Sequence, residues 1–147
     1  MIRIGPVSPP ATYELRREVL RPHQPVEEMD WPRDSATDAL HVAAEVEGRP
    51  VAVASIVPEG PRGETEGWWR VRGMATRAEY RNRGLGGRLL SELLAHTTAR
   101  GGGTVWCNAR IGAVSLYERH GFRLVSDVFE LADIGPHVRM ELEAASR

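Results

Sequence analysis

Leu40, Val42, Ala44 and Val46 alternate with more polar neighbours, the period-two signature of a strand. Glu47-Gly48-Arg49 reads as a turn, and Val51 to Val57 as the returning strand of a hairpin. Trp68 to Thr76 predicts another strand with Gly73 near its middle, where an isolated glycine marks a bulge or a close backbone approach. The period then changes. Leu85, Leu89, Leu90, Leu93 and Leu94 recur at helical spacing, predicting an amphipathic helix that Gly101-Gly102-Gly103 ends. Thr104 to Asn108 is a short strand and Ala113 to His120 a second helix, stopped by Gly121. Phe122 to Val128 and Val138 to Leu142 are predicted as the last strands.

Upstream, Ile2 and Ile4 suggest a short opening strand. Ser8 followed by Pro9 starts a helix that continues to Pro22, with Ser8 as N-cap and proline at the first helical position. Residues 22–38 are rich in proline and acidic groups and read as a loop with room for one helical turn; 58–67 is a Gly/Pro-rich loop. Strands and helices are mixed without regular alternation, so the fold class is α/β or α+β rather than doubly wound. No repeat, linker or low-complexity tract interrupts residues 1–147, which are expected to form one domain, being long enough for a core but short for two.

Composition narrows the chemistry. The net charge of −1 offers no basic face for nucleic acid. No apolar run approaches the ~20 residues of a membrane-spanning helix. The first residues lack the apolar stretch of a secretion signal, so a cytoplasmic protein is expected. Cys107 is the sole cysteine, which excludes an internal disulfide and argues against a zinc cluster. All 19 basic residues are arginine; with no lysine, Schiff-base chemistry and a phosphate-loop lysine are both removed. Arginine suits planar, bidentate contacts to phosphate and carboxylate.

The segment Arg81-Asn82-Arg83-Gly84-Leu85-Gly86-Gly87 lies between a predicted strand and the leucine-striped helix. Glycines permit close backbone approach, and a helix start offers unpaired N–H groups and the positive end of the macrodipole. That combination suits a pyrophosphate, with Arg81, Arg83 and Arg88 adding charge. A dinucleotide fingerprint needs glycine where Leu89 stands, and a Walker loop needs lysine, so both fail. The bland alternative is a glycine-softened turn with solvated arginines.

Arg81-x-x-Gly84-x-Gly86, preceded by Glu79-Tyr80, resembles the acyl-CoA signature of the GNAT superfamily of N-acetyltransferases. Ala113-x-x-Leu116-Tyr117-x-x-x-Gly121-Phe122 resembles that family's second motif at matching distance, and the likeness covers nearly the whole chain. The resemblance implies a mixed, mostly antiparallel sheet flanked by helices, with the fourth and fifth strands splayed. It places a pantetheine arm along Met74, Ala75 and Thr76 and a pyrophosphate on the amides of residues 82–87. One position departs from the pattern: Arg110 stands where the family usually has asparagine, and Asn108 lies two places earlier, so either is a candidate cofactor contact. The resemblance also allows a homodimer.

An amine must lose a proton to attack a thioester, the leaving thiolate benefits from a donor, and the carbonyl oxygen needs a fixed N–H. The resemblance makes Tyr117 the general acid, against the alternative of an amphipathic core tyrosine. The oxyanion donor is the backbone N–H of Met74 or Ala75. His137, in the turn Ile134-Gly135-Pro136-His137 before the last strand, is a candidate base or substrate contact, with Glu59, Glu66 and a water chain as alternatives. His23, His41, His96 and His120 lack metal-ligand spacing, and no metal site is expected. Trp68, Trp69 and Trp106 read as core, Trp31 as a residue that could line an acceptor pocket, and Cys107 as a small buried hydrophobe.

Two functions compete. One is an enzyme moving acetyl from acetyl-CoA to a primary amine of a small molecule or peptide by direct attack. The other is an acyl-CoA-binding sensor without turnover. The segments 22–38 and 58–67 are expected to choose the acceptor.

Overall fold

The computed structural model describes residues 1–146; Arg147, the end of the expected domain, lies outside the described residues. The strands are β1 (Ile2–Pro6), β2 (Leu40–Val46), β3 (Arg49–Val57), β4 (Trp68–Thr76), β5 (Gly103–Arg110), β6 (Arg123–Leu124), β7 (Phe129–Leu131) and β8 (Gly135–Ala144). They form one sheet in the order β1-β2-β3-β4-β5-β8-β6, with β7 also paired to β8. Every pairing is antiparallel except β4 with β5.

Side-chain alternation divides the sheet into two faces. Val42 and Ala44 of β2, Ala52, Ala54 and Ile56 of β3, and Val105, Cys107 and Ala109 of β5 share one buried core. Helix α2 (Leu85–Ala99) covers it with Leu85, Leu89, Leu90 and Leu93, each almost wholly buried. At about 1.5–3 kcal/mol per fully buried large apolar side chain, this stripe is a principal support of the fold. Gly101 and Gly102 end the helix, their N–H groups bonding back to Thr98 and Thr97. Ala43, Val53 and Ala75 point the other way, against Leu15, Val19 and Leu20. There the predicted long helix is a Pro9–Thr12 3-10 turn, α1 (Tyr13–Leu15) and a π turn at Arg16–Leu20, and Ser8 makes no side-chain cap. Helix α3 (Val114–Arg119) packs Tyr117 onto the α2 side, where Phe122, three residues beyond its end, joins the same core.

Gly73 lies at a bulge, as its position inside a strand suggested. Between Ser55↔Arg72 and Val53↔Ala75, β4 contains one residue more than β3. Because strand side chains alternate, the extra residue reverses the facing of all that follows. Val71 therefore packs toward α2, whereas four residues later Ala75 faces the opposite layer and Met74 turns toward α2. Gly73 has φ +67, and a Cβ there would lie 3.1 Å from Arg16 Nε. Both the backbone conformation and the close approach require glycine.

The end of the chain differs from its periodicity. The predicted strand Phe122–Val128 is reduced to β6, with β7 following separately, because β8 takes both as short edge partners at different places. β8 begins at Gly135, so His137 lies within a strand, paired with Arg110 and Phe129, and not in a preceding turn. Among the described residues no helix is long and apolar enough to cross a membrane.

Candidate active site

Strands β4 and β5 pair only from Trp68↔Thr104 to Arg70↔Trp106 and then part, which is the expected splay. The opening joins two cavities that share Leu20, Met74, Arg110 and Ala113. The first is a groove between the N-terminus of α2 and the end of α3; the second lies on the other side of the splay.

The groove begins where Gly84, at φ +76, caps α2 and leaves the first amides of the helix without intrahelical partners. Met74, Ala75, Thr76, Arg81, Asn82, Gly84, Leu85, Gly86 and Gly87 line it, so most of the expected cofactor residues converge. Arg83 does not line it; its guanidinium bonds the Glu79 carbonyl at 3.2 Å and sits 4.9 Å from the Tyr80 ring centroid. Arg81 is tied to the Thr76 carbonyl at 3.1 Å. A Cβ on Gly86 would meet Leu116 at 3.5 Å and Met74 Sδ at 3.8 Å, ordinary contacts with opposite walls of the groove. The protein itself could accommodate that carbon, so the missing side chain leaves room for something else. A partly apolar groove ending on free helix amides and arginines fits an extended chain with a phosphate group. Leu116, Arg119, His120, Val19 and Leu20 also line it, although sequence reading did not single them out for this role.

The second cavity, of about 350 Å³, contains Tyr117, His137, Asn108 and Trp31. Tyr117 is 5% exposed and packs edge-on to Phe122, with ring centroids 5.3 Å apart. Burial first, and the adjacent Cys107 second, push its hydroxyl pKa well above the usual tyrosine value. It therefore remains a protonated donor throughout the physiological range. Burial also pushes the Cys107 thiol up to about 12, which removes it as a thiolate nucleophile. His137 is 3% exposed and stacks on Phe129. Its Nδ1 lies 2.8 Å from the Gly135 carbonyl, which can only accept, so Nδ1 carries a proton and Nε2 is the nitrogen left for proton exchange. Of the alternative bases, Glu66 is exposed, and Glu59 is engaged by Arg33, Arg70 and Arg72; neither lines the cavity. Arg110 lines both cavities and Asn108 only this one.

A buried ionic cluster holds the loop 22–38 against the sheet. Arg16 and Asp34, with fully buried side chains, pair at 2.5 Å. Arg16 also donates to the Met29 carbonyl (2.8 Å) and the Ser55 hydroxyl (3.0 Å). Asp34 accepts from the Trp31 amide (3.0 Å) and from Arg72 (2.9 Å). His41 Nε2 donates to the Asp34 carbonyl at 2.9 Å, leaving Nδ1 to accept from Ser55 at 2.6 Å. The Trp31 ring lies 4.1 Å from the Arg16 guanidinium carbon and within 6 Å of those of Arg21 and Arg72, which fixes it at the cavity wall. The loop 58–67 does not line the cavity; it contributes Glu59 behind Arg70. Arg21, Arg70 and Arg72 were absent from the sequence candidates, because only folding brings them together.

Residues 10–122 match the model of the Acetyltransferase (GNAT) family. The chain is 32% identical over 141 residues to the "Uncharacterized N-acetyltransferase YitI" of Bacillus subtilis, covering 95% of each. Among solved structures it resembles Escherichia coli ElaA, with TM-score 0.78 and 21% identity over 97% of this chain and all of that one. It also resembles an aminoglycoside 6'-N-acetyltransferase complexed with coenzyme A, with TM-score 0.71 and 16% identity over 99% and 98%.

Proposed function

The chain belongs to the acetyltransferase (GNAT) family, and from that premise we propose that it transfers the acetyl group of acetyl-CoA to a primary amine by direct attack in a ternary complex. One observation carries this reading: the groove on the α2 amides opens through the β4–β5 splay into the cavity of Tyr117 and His137. Donor and acceptor could thus meet at the residues the two cavities share, Leu20, Met74, Arg110 and Ala113. The relative named as an N-acetyltransferase, and the coenzyme A complex of a protein with the same fold, support the choice of donor.

In this mechanism the thioester supplies an activated acyl group, and the residues of the chain do the rest. Amides of residues 82–87 and the charge of Arg81 hold the pyrophosphate, while Met74, Ala75 and Thr76 flank the pantetheine arm. Of Asn108 and Arg110 only Arg110 reaches the groove, and because it lines the second cavity too its guanidinium stands between the two ligands. The bulge at Gly73 makes the N–H of Met74 or Ala75 the donor to the acyl oxygen. Nε2 of His137 accepts the proton that the attacking amine must lose. Tyr117 donates its hydroxyl hydrogen bond to the departing sulfur. A thiol ordinarily titrates near 8.5, well below this buried tyrosine, so hydrogen-bond stabilisation of the thiolate is favoured over a lasting proton transfer.

Release of free thiol from acetyl-CoA across an amine panel tests the reading, and amine-dependent release is expected. Coenzyme A binding without release for any amine would favour a sensor instead. His137→Ala should lower turnover and alter the pH–rate profile; an unaltered profile would remove it as the base.

A further inference from the structure

The cavity beside Tyr117 and His137 is lined by four arginines, Arg21, Arg70, Arg72 and Arg110, and by no Asp or Glu. Two are paired from behind, Arg70 with Glu59 at 3.1 Å and Arg72 with Asp34 at 2.9 Å, although Asp34 also serves Arg16 and Glu59 also serves Arg33. Arg21 and Arg110 have no carboxylate partner among the described residues. Instead, Nη1 of Arg21 and Nη2 of Arg110 both donate to the Leu20 carbonyl, at 3.0 and 3.1 Å. Two like charges are therefore gathered on one neutral oxygen in a half-buried site. Burial first, then the neighbouring charges of Arg110 and Arg70, lower the pKa of Arg21, as repulsion without a counter-ion requires.

We propose that the acceptor is a small anionic amine, a primary amine bearing a carboxylate or phosphate group that Arg21 and Arg110 bind. The inference rests on the acetyl-transfer reading above. Guanidinium forks match the oxygens of either anion and gain strength where water is sparse. A volume of about 350 Å³ suits a small molecule. Arg110 is paired in register with His137 across β5 and β8, so the anion site and the candidate base belong to the same cavity. The same positive field disfavours an ammonium and lowers its pKa, easing the deprotonation that attack requires. It also repels amines that bring only further positive charge.

The test compares α-amino acids with their carboxamides, and phosphoethanolamine with ethanolamine, with spermidine as a polycation. Two measurements are made on the full chain: initial rates of thiol release, and calorimetric titration of each amine into protein saturated with coenzyme A. The anionic member of at least one pair should be preferred on the order of tenfold or more, and the pair that responds identifies carboxylate or phosphate. Arg21, which lines only this cavity, is the diagnostic position. Arg21→Gln should raise KM for the preferred amine roughly tenfold to a hundredfold without changing coenzyme A affinity, and Arg21→Lys should restore part of the loss. Equal or better use of neutral or polycationic amines, or an unchanged KM in Arg21→Gln, would overturn the proposal while leaving acetyl transfer intact. If no amine releases thiol, the enzymatic reading fails, and the titration alone decides. Selective, Arg21-dependent binding of the anionic amines would support the anion site; unselective binding would overturn it.

Discussion

Gly86→Ala should make the fold more stable and the enzyme worse. Gly86 lies in the first turn of α2 with ordinary helical backbone, and the added carbon would make contacts of 3.5 and 3.8 Å with Leu116 and Met74. Neither contact is a clash. Replacing a helical glycine by alanine contributes about 0.5–1 kcal/mol, from reduced freedom of the unfolded chain. For a domain of this size that corresponds to roughly 1–4 °C in Tm. The methyl group would meanwhile occupy the groove between β4 and α3, where the pantetheine arm is proposed to pass. Displacing the arm far enough to lose one charge-assisted contact of the attached pyrophosphate would cost about 1.5–3 kcal/mol, or roughly a 10- to 150-fold weaker Kd for coenzyme A. Urea or thermal denaturation without ligand gives the first quantity, and calorimetric titration with coenzyme A the second. Gly84→Ala is the control with the opposite sign in stability. No atom lies within 4 Å of its added Cβ, but φ is +76, so strain should cost about 1–2 kcal/mol. Unchanged coenzyme A affinity in Gly86→Ala, with the stability gain present, would refute the assignment of the groove.

Tyr117→Phe preserves the packing on Phe122 and should lower kcat on the order of a hundredfold with coenzyme A affinity nearly unchanged; single-turnover kinetics with an active amine checks this. Asp34→Asn leaves Arg16 buried without its countercharge and should cost about 3–5 kcal/mol, roughly 10 °C in Tm, measured by thermal and urea unfolding; a loss below about 1 kcal/mol would contradict the buried-pair account. Burial lowers the pKa of His41, so the unfolded chain takes up its proton first. Its contribution to stability is complete above about pH 6.5 and declines as pH falls toward the folded value. Burial alone would raise the Asp34 pKa, but hydrogen bonds and charges from Arg16 and Arg72 outweigh it and hold the carboxyl below its usual range. That contribution is present above about pH 4 and disappears in stronger acid. Urea midpoints should therefore fall between pH 7 and 5, less so in His41→Gln, and fall again below pH 4. A midpoint independent of pH over that range would count against both assignments.

The sequence by itself determined the features whose causes are local. Alternation placed β2, because residues two apart share a strand face whatever lies opposite, and the turn at Glu47-Gly48-Arg49 with the apolar run after it placed β3. Leucine spacing located α2, and the glycines at 84, 86 and 87 made its N-terminus the candidate anion site, since free amides and absent side chains are properties of a short segment. Gly73 announced the bulge but not its consequence, which is to turn Met74 toward α2 and Ala75 away from it. A strand was legible over β6, but its short extent and the separate β7 were not, because their pairing depends on β8 and not on their own pattern. The arginine lining of the second cavity was decided by tertiary structure alone. Arg21 follows a π turn, Arg70 and Arg72 belong to β4, and Arg110 ends β5, so their separation in the chain gives no sign that they line one cavity. Charge accumulates there because the sheet splays and the Arg16–Asp34 pair holds the intervening loop in place. Electrostatic repulsion acts through space, and only the folded chain sets those distances.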